Sequence, residues 1–258
     1  MNQFFNLTRF GRLLRKHTAE HLPAYLLSTA VLAGSVLVVL GALTYLTNRP
    51  LERELQMVLF LFGLLAAGAL FTSSVFAALG TPRGAAPALL LPASHFEKYL
   101  VAWLWSLPVF LVVYTGIFML INPLLLQWSS QGRPYEIYDL SFRGAREWLT
   151  PLLSYALLHG VALCGAIYFR RMHVIKTVFL VFGLLLGLLL ANRQLLKVLL
   201  PDSSPIAPFG DVWVGKGRQR ALLALPEGQW HLALTLLPLA LAGLLWLAAY
   251  NRLTEKQV

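Results

Sequence analysis

Charged side chains are scarce in this sequence. Only 12% of its 258 residues are Asp, Glu, Lys or Arg, against about 25% in a soluble domain, so an ordinary water-facing surface is excluded for most of the chain. Cysteine is scarcer: the single Cys164 excludes an intrachain disulfide and a cysteine metal cluster. Inside an apolar run it reads as a small packing residue. Also missing are a GxxxxGK[ST] phosphate loop, an HExxH pair and a GxSx nucleophile motif with a matching histidine. No Asp, Glu, Lys or Arg falls mid-run in the apolar stretches, and ion-coupled carriers usually need such groups for their relays.

What is present is long, uncharged and apolar. Six stretches run about 23–48, 56–80, 99–127, 148–169, 177–192 and 229–251, and hydrophobic residues make up 58% of the chain. A helix rising 1.5 Å per residue needs about 20 residues to cross a ~30 Å hydrocarbon core. The fifth stretch is short, but Lys176 and Arg193 at its ends can snorkel. The expected fold is an all-α membrane protein of six transmembrane helices, forming one domain over 1–258. The basic head, the long first run and the lack of a cleavage site argue against a signal peptide, so the first run is expected to stay as a span. Tyr99, Trp103, Trp148, Tyr168, Phe169, Trp230, Trp246 and Tyr250 fall near run ends, as interfacial belts do.

Six spans put both termini on one side, expected to be cytoplasmic. Of 21 basic residues, 11 lie in the inside segments. The local signals are stronger: Arg170-Arg171 in a short loop and four basic residues just before the first span. The net charge of +10 does not point to nucleic acid, because no basic block interleaved with aromatics sits in a soluble module. Basic residues instead anchor helices at an anionic leaflet.

Residues 1–22 read as an amphipathic helix. At 100° per residue Phe4, Leu7, Phe10, Leu13 and Leu14 fall on one half, while Arg9, Arg12, Arg15, Lys16 and Glu20 fall on the other. Phe5 breaks the separation. Such a helix is expected to lie in the interface plane with its polar face toward a cytoplasmic partner. The loop 81–93 follows the second span, and Ser94-x-x-Glu97 after it forms a capping box. Pro92 disfavours helix before it, so the third span is expected to start at Ser94. Upstream, 85–91 is apolar but too short to cross, and Leu89, Leu90 and Leu91 need a cover.

Ser73–Leu104, with Leu91-Pro92-Ala93-Ser94 and then Glu97-Lys98, resembles the corresponding region of the small bacterial permeases of the type-2 ABC exporter family. Arg9-Phe10-Gly11 with its basic amphipathic run resembles the family's elbow helix, and Tyr250–Gln257 resembles a common ending. Gly84-Ala85-Ala86 departs from relatives, which are often more charged there. The resemblance implies a transmembrane permease subunit of the bacterial inner membrane. It would pair with a second permease subunit, as homo- or heterodimer, to form the pathway. ATP and Mg would bind separate ABC ATP-binding subunits, so this chain would carry no cofactor and no enzymatic step. It further implies an elbow helix carrying Arg9, Arg12, Arg15 and Lys16. The coupling region would carry Thr81, Arg83, Leu89, Leu90, Ser94, Glu97 and Lys98.

Two other classes stay open. A non-transporting accessory or scaffold subunit would dock an ATPase in the same way. An intramembrane enzyme is weakly supported, since lone His159 and Cys164 make no persuasive dyad. His159 and Ser73 read first as interhelical polar contacts and second as pathway lining. Gly183-x-x-x-Gly187 permits close helix approach, and Pro108 and Pro238 are expected to kink their spans. The extracytoplasmic loop 193–228 is expected to extend span five over 195–200. Pro201, Pro205 and Pro208 should break regular structure before a small hairpin around Gly215-Lys216-Gly217.

Overall fold

The computed structural model describes residues 5–80, 94–138, 145–169, 173–201, 203–205, 212–215, 221–223 and 229–256. Loop 81–93, with the expected coupling residues Thr81, Arg83, Leu89 and Leu90, lies outside them. The chain is mostly helical. Helix α1 (Leu7–Thr47) and α2 (Arg53–Gly80) are followed by α3 (His95–Leu104), a π turn (Trp105–Val109) and α4 (Phe110–Ser130). Then come α5 (Ala145–Tyr168), α6 (His173–Leu199) and, after three short strands, α7 (Gln229–Lys256). With α3, the π turn and α4 taken as one, six helical segments are long and apolar enough to cross a membrane.

The amphipathic N-terminus and the first span form one helix of 41 residues running through Pro23. That is roughly 60 Å of helix, about twice the hydrocarbon thickness. Span five likewise runs past its uncharged stretch to Leu199, so 195–199 extends the helix as expected. Between the last two long helices, β1 (Ser203–Pro205), β2 (Val212–Val214) and β3 (Ala221–Leu223) make an antiparallel sheet in the order β1-β2-β3. The expected hairpin is thus β2–β3 with a third strand added. Pro205 ends an edge strand instead of breaking structure, and an edge tolerates the missing donor.

Helix α5 is the interior of the bundle. Of its most apolar window 56% is buried, against 6% for α1 and 7% for α6. It packs on α7, α2 and α6, while α1 packs mainly on α4 and α3. A cleft of about 520 Å³ therefore opens between α1 and α2, floored by Trp105 and Phe110. Glycines bring helices together on α2 and on α5, where Gly160 faces Leu245 of α7 and Gly165 faces Thr177 of α6. A Cβ at Gly63 would meet the Tyr114 hydroxyl, and one at Gly68 the Tyr155 ring. Their bare backbone lets Tyr114 donate to the Phe60 carbonyl at 2.9 Å. Gly183 and Gly187 instead have open space around them.

At the α1–α2 turn, Gln56 is fully buried and saturated. Its Nε2 donates to the carbonyls of Leu51 (2.7 Å) and Glu136 (2.9 Å). Its Oε1 accepts from Asn122 Nδ2 and the Tyr138 amide, both at 2.8 Å. One amide thus ties the α1–α2 turn, α4 and the segment after it. Gln56→Leu would strand these partners without water to replace the bonds, and buried unpaired polar groups cost about 1–3 kcal/mol each. Gln56→Leu should lower stability by about 2–3 kcal/mol and Gly63→Ala should also destabilise, both read by thermal denaturation of the detergent-solubilised protein. Wild-type stability in Gln56→Leu would contradict the staple.

Candidate functional site at the foot of the third span

Three of the residues singled out in the sequence meet at the start of α3. Ser94 is its N-cap and accepts from the Glu97 amide at 3.2 Å, while Glu97 Oε2 accepts from the Ser94 amide at 3.1 Å. This is the expected capping box. The structure adds the N-terminus of α1 to it. Arg9 Nε donates to Glu97 Oε2 at 2.7 Å and Arg9 Nη2 to Glu97 Oε1 at 2.8 Å, a bidentate pair. The Asn6 amide donates to Glu97 Oε1 at 2.8 Å. Asn6 is the N-cap of α1, its own Oδ1 accepting from the Thr8 and Arg9 amides. One fully buried carboxylate therefore binds the cap residues of two helices. Each of its oxygens accepts two hydrogen bonds, which fills its lone pairs.

Aromatic packing surrounds the clasp. Phe5, the residue that broke the amphipathic pattern, lies 6.2 Å from Phe96, and Phe96 lies 5.9 Å from Tyr250 of α7. The start of α1 and the end of α7 thus share one end of the bundle. Tyr99 donates to the Trp246 carbonyl at 3.0 Å, and Trp103 stands edge-on to Trp246 at 5.3 Å. Lys98 is half-buried on the next position, while Arg12, Arg15 and Lys16 are exposed, Lys16 pairing with Glu20 at 3.6 Å. At the same end Lys176 and Arg252 lie over the Phe169 and Tyr168 rings, as cations at an interfacial belt do.

A second polar cluster sits mid-bundle. His159 on α5 is fully buried. Trp246 Nε1 lies 3.1 Å from His159 Nδ1, and Ser106 Oγ lies 2.8 Å from His159 Nε2. Indole nitrogen only donates, so Nδ1 accepts and Nε2 carries the proton toward Ser106. Ser106 passes its own hydroxyl proton to the Trp103 carbonyl at 3.3 Å, and Tyr155 donates to the Ser106 carbonyl at 2.6 Å. Both His159 nitrogens are thereby engaged, which favours the interhelical over the substrate-touching reading. Cys164 donates to the Leu245 carbonyl at 3.2 Å instead of facing His159. Ser73 is buried on α2 and Ser74 beside it returns its hydroxyl to the Phe71 carbonyl.

The sequence pointed to Glu97 and Arg9 separately and missed their pairing, along with Phe5, Phe96, Ser106, Tyr155 and Trp246. His159, read as an interhelical contact, and Pro108 were the local signals for the middle cluster. Comparison with protein-family models, curated proteins and solved structures finds no match.

Breaking the clasp should free the N-terminal helix without unfolding the bundle. Glu97→Gln and Arg9→Ala should each speed protease cleavage within the first twenty residues, with the double variant no faster than the faster single one. Arg9→Lys should restore little, since an ammonium cannot span both oxygens. Additive effects of the two single variants would show that the residues act independently.

Proposed function

We propose that this chain is the transmembrane permease subunit of an ATP-driven ABC exporter. It lies in the bacterial inner membrane with both termini cytoplasmic and works as a dimer with separate ATP-binding subunits. The observation that carries the reading is the Glu97 clasp. It joins the basic N-terminal helix to the foot of the third span, directly after the loop that the resemblance assigns to ATPase contact. A push on that loop would reach α1 and α3 together. The six apolar helical segments support the reading, since such a subunit contributes spans and leaves ATP and Mg to its partner. The basic residues at this end favour the cytoplasmic side. On this reading residues 1–22 serve as the elbow helix, presenting Arg12, Arg15 and Lys16 to the anionic leaflet or the partner. Residues 81–93 serve as the coupling segment, and the pathway forms between two copies or between this chain and a related one.

The test is co-purification with candidate ATP-binding subunits, with a crosslinker placed at Arg83. Crosslinks to an ATPase at that position are expected, and Glu97→Gln should uncouple ATP turnover from substrate without abolishing assembly. An ATPase that assembles but never contacts the loop would overturn the coupling assignment. ATP turnover indifferent to every added compound would favour an accessory subunit.

A further inference from the structure

We propose that the π turn at Trp105–Val109 is a register switch that controls the Glu97 clasp. A π turn holds one residue more than an α-helical turn, and such surplus residues recur at functional sites. Here the Phe110 amide is shared between the carbonyls of Trp105 and Leu107, skipping that of Ser106. Pro108 has no amide to offer. The bypassed Ser106 carbonyl is taken by the Tyr155 hydroxyl at 2.6 Å. In α register the Phe110 amide would return to Ser106, and Tyr155 would lose its place. The phenol of α5 and the amide of Phe110 thus compete for one carbonyl, which defines two discrete states of the same segment.

Three helices bias that choice. Helix α5 supplies Tyr155 and His159, and α7 supplies Trp246, which fixes His159 against Ser106. From α1, Tyr25 stacks on Trp105 at 4.5 Å and holds His17 Nε2 at 2.8 Å through its hydroxyl. If the surplus residue passes out through the N-terminal end of the helix, residues 94–104 turn by about 100° and shift by about 1.5 Å. With a helix diameter of 10–12 Å, a side-chain tip then moves about 8 Å. Glu97 would leave Arg9, so the closed clasp and the π register require each other. The coupling is reciprocal: whatever opens the clasp also loosens the turn. The switch is a property of this chain and stands whether or not an ATPase docks beneath it.

The experiment is a distance measurement between spin labels at Lys98→Cys and Ile175→Cys, at the same end of the bundle, in full-length Cys164→Ser protein in lipid nanodiscs. The parent should give one narrow distance. Tyr155→Phe keeps the ring that fills the space at Gly68 and removes only the hydroxyl, so it should add a second population several ångströms away. Trp246→Phe should add a smaller one. Glu97→Gln, acting from the far end, should populate the same second distance. A single unchanged distance in Tyr155→Phe would overturn the proposal, as would a Glu97→Gln shift that Tyr155→Phe does not reproduce. Pro108→Ala in the parent provides a second variant. A growth of the second population is expected, and no change alongside an unchanged Tyr155→Phe would mark the turn as static.

Discussion

A carboxylate removed from water must have its charge answered on every side, and at Glu97 that requirement organises one end of the molecule. Leaving either oxygen unpaired in a fully buried position costs far more than an ordinary lost hydrogen bond. The side chain therefore cannot be satisfied by its own helix alone. The Ser94 amide fills one position. The other three are filled by Arg9 and Asn6, so the buried carboxylate that caps α3 is fully satisfied only with α1 docked. Two helix starts far apart in the chain become one structural event.

The same logic recurs along the third span. Its foot holds Glu97, its middle holds Ser106 and its far end holds Asn122, and each is buried. Each meets a polar group from another helix: Arg9, His159 and Gln56 respectively. Between them the packing is mainly aromatic and aliphatic, with the Tyr99 and Tyr114 hydroxyls reaching backbone carbonyls of α7 and α2. Between apolar helices in lipid there is little hydrophobic drive to choose a register, and interhelical hydrogen bonds add only about 1 kcal/mol each. Their value lies in selection: a slip of α3–α4 by one residue would strand three buried polar groups at once. The exposed faces of α1 and α6 carry no such stations among the described residues.

The apolar spans were readable because lipid forbids charge over some 20 residues, a constraint written position by position. The start of α3 was readable because a capping box is local, with its partners three residues apart. The β2–β3 hairpin was readable for the same reason, at Gly215 with its positive φ. The clasp was not, since Arg9 and Glu97 are 88 residues apart and an amphipathic wheel treats Arg9 as one more polar residue. Phe5 counted as a blemish on that wheel because the wheel knows nothing of Phe96. The glycine motif was ambiguous for a related reason, since it suits packing within the chain or against a second copy. Gly183 and Gly187 have the right spacing with nothing beside them, while Gly63 and Gly68, five apart, receive tyrosine rings. Spacing describes what a helix offers, and only a neighbour decides what is used.

Pro108 shows how far a local rule reaches. Removing a backbone donor predicts a disturbance in the helix, and a disturbance is there. Backbone groups freed there cannot be left to solvent, because a span has none to give. The chain instead winds in an extra residue, and the Ser106 carbonyl this bypasses finds a phenol on α5. Tyr155 is there because Gly68 makes room for its ring. A glycine on α2, a tyrosine on α5 and a proline in the third span are thus parts of one arrangement. Their joint effect is to make the middle of that span the place where a small exchange of hydrogen bonds can turn the helix that carries Glu97.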